Sequence, residues 1–501
     1  MLIGVAFGLM GAFLMAGFYV AGALGALSLV LMHFFSDAPL WNIMGNRAWE
    51  THTSFILVSI PLFILMGELV LRSGFAERMY AALSRWVVFL PGGLIHTNIA
   101  SCAVFAACSS SSVSTAATIS RISLPTMKAR GYNERLVVGS LAAGGTLGIL
   151  IPPSIIMALY ALTVGESMGR LFLAGFIPGF LLALVFMLMI AIVAIVWPGV
   201  APREDGAGLF DMQSWRARIA AIVPMLPIFA LIFAVLGSIY MGWATPTEAA
   251  ALGVTGALIL AVIYNLAPVV LAALLRSLNS SSATLLLPRT LKARLRAMYP
   301  AGPVASGQVK KAVQVNLKML QAALLSTVRT SAMLFLILMA SFTLQFAFAY
   351  LRISTDMASW VAGFHLSPVQ LVIVLVFFYL VLGTFLESFA MMMTTLPILL
   401  PTLIDTGVNL LWFGIIMVIL VEAALVSPPE GINLYVLQGA RQDIAREAAQ
   451  AEGGQVTTGT IGDVWIGVLP FMLCMAIVIA LVIAFPEIAL WLPNTVKGAT
   501  R

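Results

Sequence analysis

Apolar segments long enough to cross a lipid bilayer recur throughout this 501-residue chain. One runs from Ile219 to Ile239, and another is centred on Met472 to Phe485. A helix of about 20 residues spans the ~30 Å hydrocarbon core, because each residue adds ~1.5 Å. Only 9% of the residues are charged, whereas soluble domains carry roughly 25% because their surface faces water. The sequence therefore predicts an all-α polytopic membrane protein.

Hydropathy also predicts where the chain crosses the membrane and how it is oriented. Two apolar stretches, about 94–127 and 368–404, are interrupted by small and hydroxyl residues and are not simple crossings. Lys and Arg concentrate in alternate loops, which places those loops in the cytoplasm. We therefore expect a bacterial inner-membrane protein with a cytoplasmic N-terminus and a periplasmic C-terminus. Crossings are predicted at 2–32, 53–71, 134–162, 169–197, 216–238, 244–266, 330–351, 410–438 and 463–485.

Short motifs recur at a constant spacing of 276 residues, which indicates an internal duplication. Five predicted crossings separate the starts of the two copies, and an odd number inverts the second copy. The charges agree, because Lys128 and Arg130 follow the first Leu-Pro-Thr motif whereas Asp405 follows the second. Inverted repeats with interrupted helices are typical of secondary carriers. The matching motifs are Leu124-Pro125-Thr126 with Leu400-Pro401-Thr402, Gly131 and Asn133 with Gly407 and Asn409, and Pro152-Pro153 with Pro428-Pro429.

The duplication predicts how the chain is divided. Residues 1–240 hold the first repeat plus a linking span, and residues 241–267 form the first span of the second repeat. Residues 268–329 are predicted to be a basic cytoplasmic loop or insertion, and residues 330–501 are the remainder of the second repeat. Because Arg276 to Arg329 contains basic but no acidic residues, we expect a solvated or interfacial connector there; docking of a partner is the alternative.

Each repeat contains one interrupted apolar stretch, which we expect to form a re-entrant hairpin. In the first, Ser109 to Ser112 can leave the helix and satisfy the freed backbone groups with hydroxyls, as a lipid environment requires. The alternative is one continuous span whose hydroxyls bond to their own carbonyls. The second stretch holds Glu387 in apolar surroundings, where a carboxylate is costly unless it is paired or protonated. Three roles are open for Glu387: coupling-ion ligand, proton carrier or structural partner.

A double proline interrupts a helix in each repeat, at Pro152-Pro153 and at Pro428-Pro429. Proline removes a backbone donor and clashes with the carbonyl four residues earlier. Unwound carbonyls offer oxygen ligands to a hard cation such as Na⁺, and the helix N-termini beyond the breaks favour an anion. A plain kink would explain one such site, but two at matching positions favour a functional break. Gly144–Gly148 is not a phosphate loop, since no Gly-Lys-Ser/Thr follows it, and we predict no catalytic residue, transition-metal site or organic cofactor.

Three motifs make the chain similar to the large membrane (permease, M-type) subunit of tripartite ATP-independent periplasmic (TRAP) transporters. They are Gly144 through Ser154, Gly242 through Gly253, and Trp412 through Met417 followed by Ser427 to Gly431. The resemblance spans nearly the whole chain except about 268–318. It implies an elevator-type carrier, like others of the ion-transporter superfamily, with a transport domain built from two hairpins and two broken helices. It also implies Na⁺-driven uptake of a small organic acid, a small four-span membrane subunit and a periplasmic solute-binding protein.

The resemblance further implies which residues bind the coupling ion and the substrate. They lie in the two hairpins and the two broken helices. The Na⁺ candidates are Ser109, Ser110, Ser111, Ser112, Gly144, Gly145, Thr146, Met391, Met392, Met393, Thr394, Thr395, Ser427, Pro428 and Pro429. The substrate candidates are Pro152, Pro153, Ser154, Ser114, Glu387, Glu430 and Asn433.

Two other functions fit parts of the sequence. A self-contained ion-coupled organic-anion carrier, or an ion antiporter of related architecture, would need no partner subunit. A membrane-embedded enzyme would need converging titratable groups, and the glutamates are mostly spread along the chain. Glu422 and Glu430 share one broken helix, so a buried acid pair is the enzyme hypothesis that a double substitution would test. We expect no enzymatic activity.

Overall fold

The computed structural model describes residues 2–109, 111–202, 212–280, 306–384, 386, 388–429, 431–452 and 458–496. Three predicted site residues, Ser110, Glu387 and Glu430, lie outside the described residues. Within these ranges the regular secondary structure is helical, as the sequence predicts.

The helices follow one another along the chain with short connections between most of them. They are α1 Leu2–Met15, α2 Val20–Phe34, α3 Met44–His52, α4 Ser59–Arg72, α5 Phe75–Val87, α6 Leu94–Ser109, α7 Ser112–Ala129, α8 Glu134–Leu150, α9 Ile155–Val164, α10 Met168–Val196, α11 Met212–Ile222, α12 Leu226–Ile232, α13 Ser238–Tyr240, α14 Pro246–Ser280, α15 Ser306–Tyr350, α16 Ile353–Ala362, α17 Pro368–Leu382, α18 Ser388–Asp405, α19 Leu410–Val426, α20 Ile432–Glu452, α21 Ile461–Ala484 and α22 Glu487–Thr495. In the described part of the chain seven helical segments are long and apolar enough to cross a bilayer, and α8 with α9 forms an eighth as a pair bent by 41°.

The predicted crossing at 2–32 is two helices instead of one. Gly17 follows α1 with a φ of 79°, a left-handed conformation that ends a helix and that glycine adopts without strain. The chain then starts α2 at Val20, and residues of both helices pack into one apolar cluster with α15. The prediction of a single first span is therefore wrong, because hydropathy does not register one glycine between two apolar runs.

The predicted basic loop at 268–329 is helical wherever the structure describes it. The helix α14 continues to Ser280, and α15 already begins at Ser306. Ala, Leu, Lys and Gln dominate residues 311–329, and all four are strong helix formers. The loop prediction is wrong for these two parts, because basic charge constrains the side of the membrane and not the backbone conformation.

Equivalent elements of the two repeats occupy positions 276 residues apart. The pair α7 and α8 corresponds residue for residue to α18 and α19 in where each helix begins. Asn133 and Asn409 cap α8 and α19, since each side-chain oxygen accepts a backbone N–H at 3.2 and 3.0 Å. Gly131 and Gly407 have φ values of 74° and 75°, and both proline pairs are joined by cis peptide bonds. The duplication seen in the motifs is thus also present in the local backbone geometry.

The two broken helices, α8–α9 and α19–α20, run in opposite directions beside each other. At one end, Arg441 of α20 lies 2.7 Å from the carboxylate of Glu134 at the start of α8. At the other end, the hydroxyl of Tyr160 on α9 donates to the carbonyl of Leu410 at the start of α19, at 2.8 Å. Antiparallel broken helices are the arrangement that an inverted repeat requires.

Backbone contact without side chains joins α8 to α21. A Cβ on Gly139 would overlap the carbonyl oxygen of Gly467, and a Cβ on Gly467 would overlap that of Arg135. Paired glycines let membrane helices approach this closely. Next to them Arg135 and Asp463 form an ion pair of 2.9 Å, so α21 is held against the start of α8.

Replacing Gly467 by alanine should lower the free energy of unfolding by about 1–3 kcal/mol, because the added methyl forces α21 away from α8. Thermal unfolding of the purified protein in detergent measures the effect. Gly8→Ala is the matched control, since a Cβ at Gly8 meets no atom within 4 Å. An unchanged midpoint for Gly467→Ala would contradict the close approach of the two helices.

Candidate functional site

The first hairpin consists of α6 and α7, which fold back on each other around the serine cluster. Asn98 of α6 and Ser123 of α7 lie at similar distances in sequence from this tip, and they share a hydrogen bond of 2.7 Å. Ser111 starts α7, because its hydroxyl accepts the backbone N–H of Ser114 at 3.4 Å. The expected break is therefore present, and the alternative of one continuous span is wrong.

Three glycines bring α8 against the first hairpin. A Cβ on Gly145 would lie 2.8 Å from that of Ala116, and a Cβ on Gly148 would lie 3.2 Å from the carbonyl oxygen of Ser111. Gly144 similarly faces α6. Thr146, between them, is fully buried and donates its hydroxyl to the carbonyl of Ala143 at 2.8 Å, which leaves the lone pairs of that hydroxyl oxygen for a ligand. The predicted grouping of this part of α8 with the serine cluster is seen in the fold.

Each broken helix resumes with a capped N-terminus or a tight turn. Beyond Pro152 and Pro153, Ser154 caps α9 by accepting the N–H of Met157 at 3.3 Å. In the second repeat the N–H of Gly431 donates to the carbonyl of Ser427 at 2.9 Å, which closes a turn around Pro428 and Pro429. The helix geometry therefore stops at both proline pairs, as the sequence predicts.

One hydrogen bond joins the two repeats at the centre of the candidate site. The side-chain amide of Asn433 donates to the hydroxyl of Ser112 at 2.6 Å. Both residues are buried, and the carbonyl oxygen of the Asn433 side chain has no partner within the described residues. Ser112 is the first residue of α7, and Asn433 lies in the first turn of α20. Two helix N-termini from different repeats therefore meet here.

The second hairpin, α17 and α18, carries Met391, Met392, Met393, Thr394 and Thr395 in its buried part. Its two helices are joined by a 2.6 Å hydrogen bond between the hydroxyls of Tyr379 and Thr395. Ser341 of α15 donates to the backbone carbonyl of Met393. The hairpin approaches α19 at Gly383, close to Ala424. Among the described residues no hydrogen bond links Met391–Thr395 to Ser427–Pro429, so this half of the predicted ion site is less closely assembled.

A buried polar network that sequence reasoning missed holds the first hairpin in place. Asn98 accepts from Tyr80 of α5 at 3.2 Å and from Ser123, and it donates to Ser140 of α8 at 2.9 Å. Burial raises the pKa of Tyr80, which lies outside the candidate spans, to about 12, so its hydroxyl stays protonated and donates. An asparagine inside an apolar segment was the available signal, but its partners come from three other helices.

The second repeat has a cavity where the first has this network. Val374 and Leu399, the residues 276 positions after Asn98 and Ser123, line an apolar cavity of about 480 Å³ between α16 and the second hairpin. Thr402 also lines it, and its buried hydroxyl has no partner within the described chain. The two hairpins are therefore supported differently.

Within the described ranges, no three His, Cys, Asp or Glu side chains come together as they would around a transition metal. The oxygen atoms that the site offers are hydroxyls of serine and threonine and the backbone carbonyls at the helix breaks. Such a set suits a hard monovalent cation better than a soft metal.

Paired hairpins, antiparallel broken helices and several bilayer-length helices define a class, the multi-pass membrane carriers with interrupted helices. Within this class the chain belongs to the family described as "Tripartite ATP-independent periplasmic transporter, DctM component", whose model matches residues 7–488. This confirms the family that the sequence motifs indicate.

Curated relatives align over nearly the whole chain. The C4-dicarboxylate TRAP transporter large permease protein DctM of Pseudomonas aeruginosa is 29% identical over 474 residues, covering 94% of this chain and 93% of that protein. The sialic acid TRAP transporter large permease protein SiaM of Vibrio cholerae is 25% identical, covering 99% of each chain. Among solved structures, the YdaH transporter of Alcanivorax borkumensis shares the fold, with a TM-score of 0.58 at 14% identity over 95% of this chain and 98% of that one.

Proposed function

We propose that this chain is the large membrane subunit of a three-part secondary uptake system that brings a small organic acid across the bacterial inner membrane. Family membership supports this proposal, as do relatives named for C4-dicarboxylates and sialic acid. In this system the N-terminus faces the cytoplasm and the C-terminus the periplasm, because the basic loops then lie inside.

The hydrogen bond between Ser112 and Asn433 is the observation on which the substrate site depends. It joins the N-terminal ends of α7 and α20. Each helix N-terminus carries about half a positive charge and unpaired N–H groups, both of which favour an anion. A carboxylate is therefore the group that this junction binds, beside Ser114 and the two proline breaks.

A Na⁺ gradient drives the uptake in this proposal. The coupling ion binds where α8 meets the tip of the first hairpin, since Ser111 and Thr146 bring hydroxyl and carbonyl oxygens together there without a nearby nitrogen ligand. The symmetry of the repeat provides a second site of the same kind in α18 and α19.

Two partners complete the system, a small four-span membrane subunit and a periplasmic solute-binding protein. The isethionate TRAP transporter permease protein DctMQ of Oleidesulfovibrio alaskensis supports the first, because this chain covers only 60% of that longer permease. The remainder of such a permease has room for a further membrane subunit.

Proteoliposomes test the proposed function. Vesicles holding this chain and the small membrane subunit, with the binding protein outside, should accumulate a radiolabelled C4-dicarboxylate or sialic acid when Na⁺ is higher outside. Uptake by this chain alone would instead identify the self-contained carrier. Absence of gradient-driven uptake for every organic acid tried would contradict the proposal.

Replacing Thr146 by valine should raise the Na⁺ concentration for half-maximal uptake roughly tenfold, because losing one oxygen ligand to a charged group costs about 1.5–3 kcal/mol. Thr343→Val is the matched control, since Thr343 on α15 is also buried and donates to the carbonyl of Met339 at 2.7 Å. Equal Na⁺ dependence in both variants would remove Thr146 from the ion site.

A further inference from the structure

Glu422 is a buried carboxylate that the proposed function does not use. It lies on α19, five residues before Ser427. Its side chain is fully buried, and neither carboxylate oxygen has a hydrogen-bond partner within the described residues. Most buried polar groups are paired, so two unpaired oxygens on one side chain indicate a ligand site.

The Glu422 carboxylate faces the last turn of α8. The backbone amide of Leu150, the final residue of this helix, lies near it, although no hydrogen bond of good geometry forms. The final carbonyls of a helix have no partner within it, and they carry about half a negative charge. An ionised Glu422 would therefore add a negative charge to a place that is already negative.

No cation of the surrounding helices, as far as the structure describes them, reaches this place. The helices packed against α19 are α8, α9, α10, α17, α18, α20, α21 and α22. Arg135 bonds Asp463 and Arg441 bonds Glu134, both at the far end of α8, about 22 Å from Leu150 at 1.5 Å per residue. The other titratable groups on these helices are Tyr160, which bonds Leu410, Arg170, Tyr379, which bonds Thr395, Asp405, Tyr435, Asp443 with Arg446, Glu447, Cys474 and Glu487.

Arg170 does not neutralise Glu422 either. It lies at the start of α10, a few residues after α9 ends, and therefore at the level of Tyr160 and Leu410. From Leu410 to Glu422 the helix rises about 18 Å. An ionised carboxylate buried without a partner costs several kcal/mol, so a cation must neutralise Glu422 in the folded protein.

The repeat identifies what kind of cation this is. Glu422 stands 276 residues after Thr146, which the proposed function makes a ligand of the coupling ion. We propose that Glu422 binds a monovalent cation, either a proton or Na⁺, in the second repeat, and that this cation travels with the substrate. This inference rests on the proposed function for the transport step, but binding of the cation does not depend on it.

Cation binding by the full chain in detergent tests the inference without an uptake assay. Glu422→Gln keeps the shape of the side chain and removes the charge. If the cation is sodium, the variant should bind one ²²Na⁺ fewer per chain than the wild type at equilibrium. If it is a proton, both proteins bind equal Na⁺, but only the wild type loses thermal stability as the pH rises and Glu422 ionises.

Glu248→Gln is the control, because Glu248 is exposed at the start of α14 and glutamine can keep its contact with Thr245. Glu422→Thr, which copies the residue of the first repeat, replaces Glu422→Gln should that variant not fold. Unchanged Na⁺ stoichiometry together with an unchanged pH profile would overturn the inference. Failure of uptake in the wild-type complex, with cation binding intact, would instead contradict the proposed function.

Discussion

Asn433→Ala is expected to lower organic-acid uptake at least about tenfold while the protein remains folded. The substitution removes the 2.6 Å hydrogen bond to Ser112, which is the direct link between the first hairpin and the second broken helix. A buried donor or acceptor left unpaired costs about 1–3 kcal/mol, and 1.4 kcal/mol is a factor of ten. Because the two helix N-termini then separate, the anion site loses its geometry, and initial uptake rates in proteoliposomes measure the loss.

Asn265→Ala is the matched control for this prediction. Asn265 of α14 donates to the side chain of Asn316 on α15 at 3.0 Å, so the control also breaks one asparagine hydrogen bond between helices, but away from the site. Uptake by this variant should stay near the wild-type rate. If both variants transport equally well, the junction of α7 and α20 does not bind the substrate.

Arg441→Ala should lower the free energy of unfolding by about 2–3 kcal/mol. The buried guanidinium bonds the Glu134 carboxylate at 2.7 and 2.9 Å, the side chain of Gln438 at 2.9 Å and the carbonyl of Thr460 at 3.3 Å. Removing one partner of a buried charged pair costs about 3–5 kcal/mol, and the value is smaller for this pair because Glu134 is half exposed and water can solvate it. Thermal unfolding in detergent gives the difference.

Two further variants show whether geometry or charge matters at Arg441. Lysine keeps the charge but cannot bond three acceptors in one plane, so Arg441→Lys should recover less than half of the loss. Arg446→Ala removes an exposed arginine of the same helix, whose 3.8 Å contact with Asp443 contributes at most about 0.5 kcal/mol. Equal effects of Arg441→Ala and Arg446→Ala would show that Arg441 does not tie α20 to α8.

Features that depend on neighbouring residues could be predicted from the sequence. The proline pairs interrupt their helices and the serine cluster ends α6, because missing donors and competing hydroxyls act within a few residues. The asparagine caps at Asn133 and Asn409 agree for the same reason. Charge and hydropathy were poorer guides to backbone conformation, as the turn at Gly17 and the helices within the predicted loop show.

Features that depend on distant partners could not be predicted. Asn98 and Glu422 are both polar residues in apolar segments, and the sequence offers no means to tell them apart. The fold shows that Asn98 has partners on α5, α7 and α8, whereas Glu422 has none within the described residues. Only the packing of four or more helices decides which of the two is a structural residue and which awaits a ligand.

The unequal support of the two hairpins has a mechanical consequence. Directional hydrogen bonds around Asn98 break as soon as α6 and α7 tilt, so a displacement of the first hairpin is opposed from its first fraction of an ångström. Atoms that border the 480 Å³ cavity have no neighbour to lose on that side, so α17 and α18 can lean into it by changing rotamers. The same helical pattern, used twice, thus yields one stiff half and one compliant half.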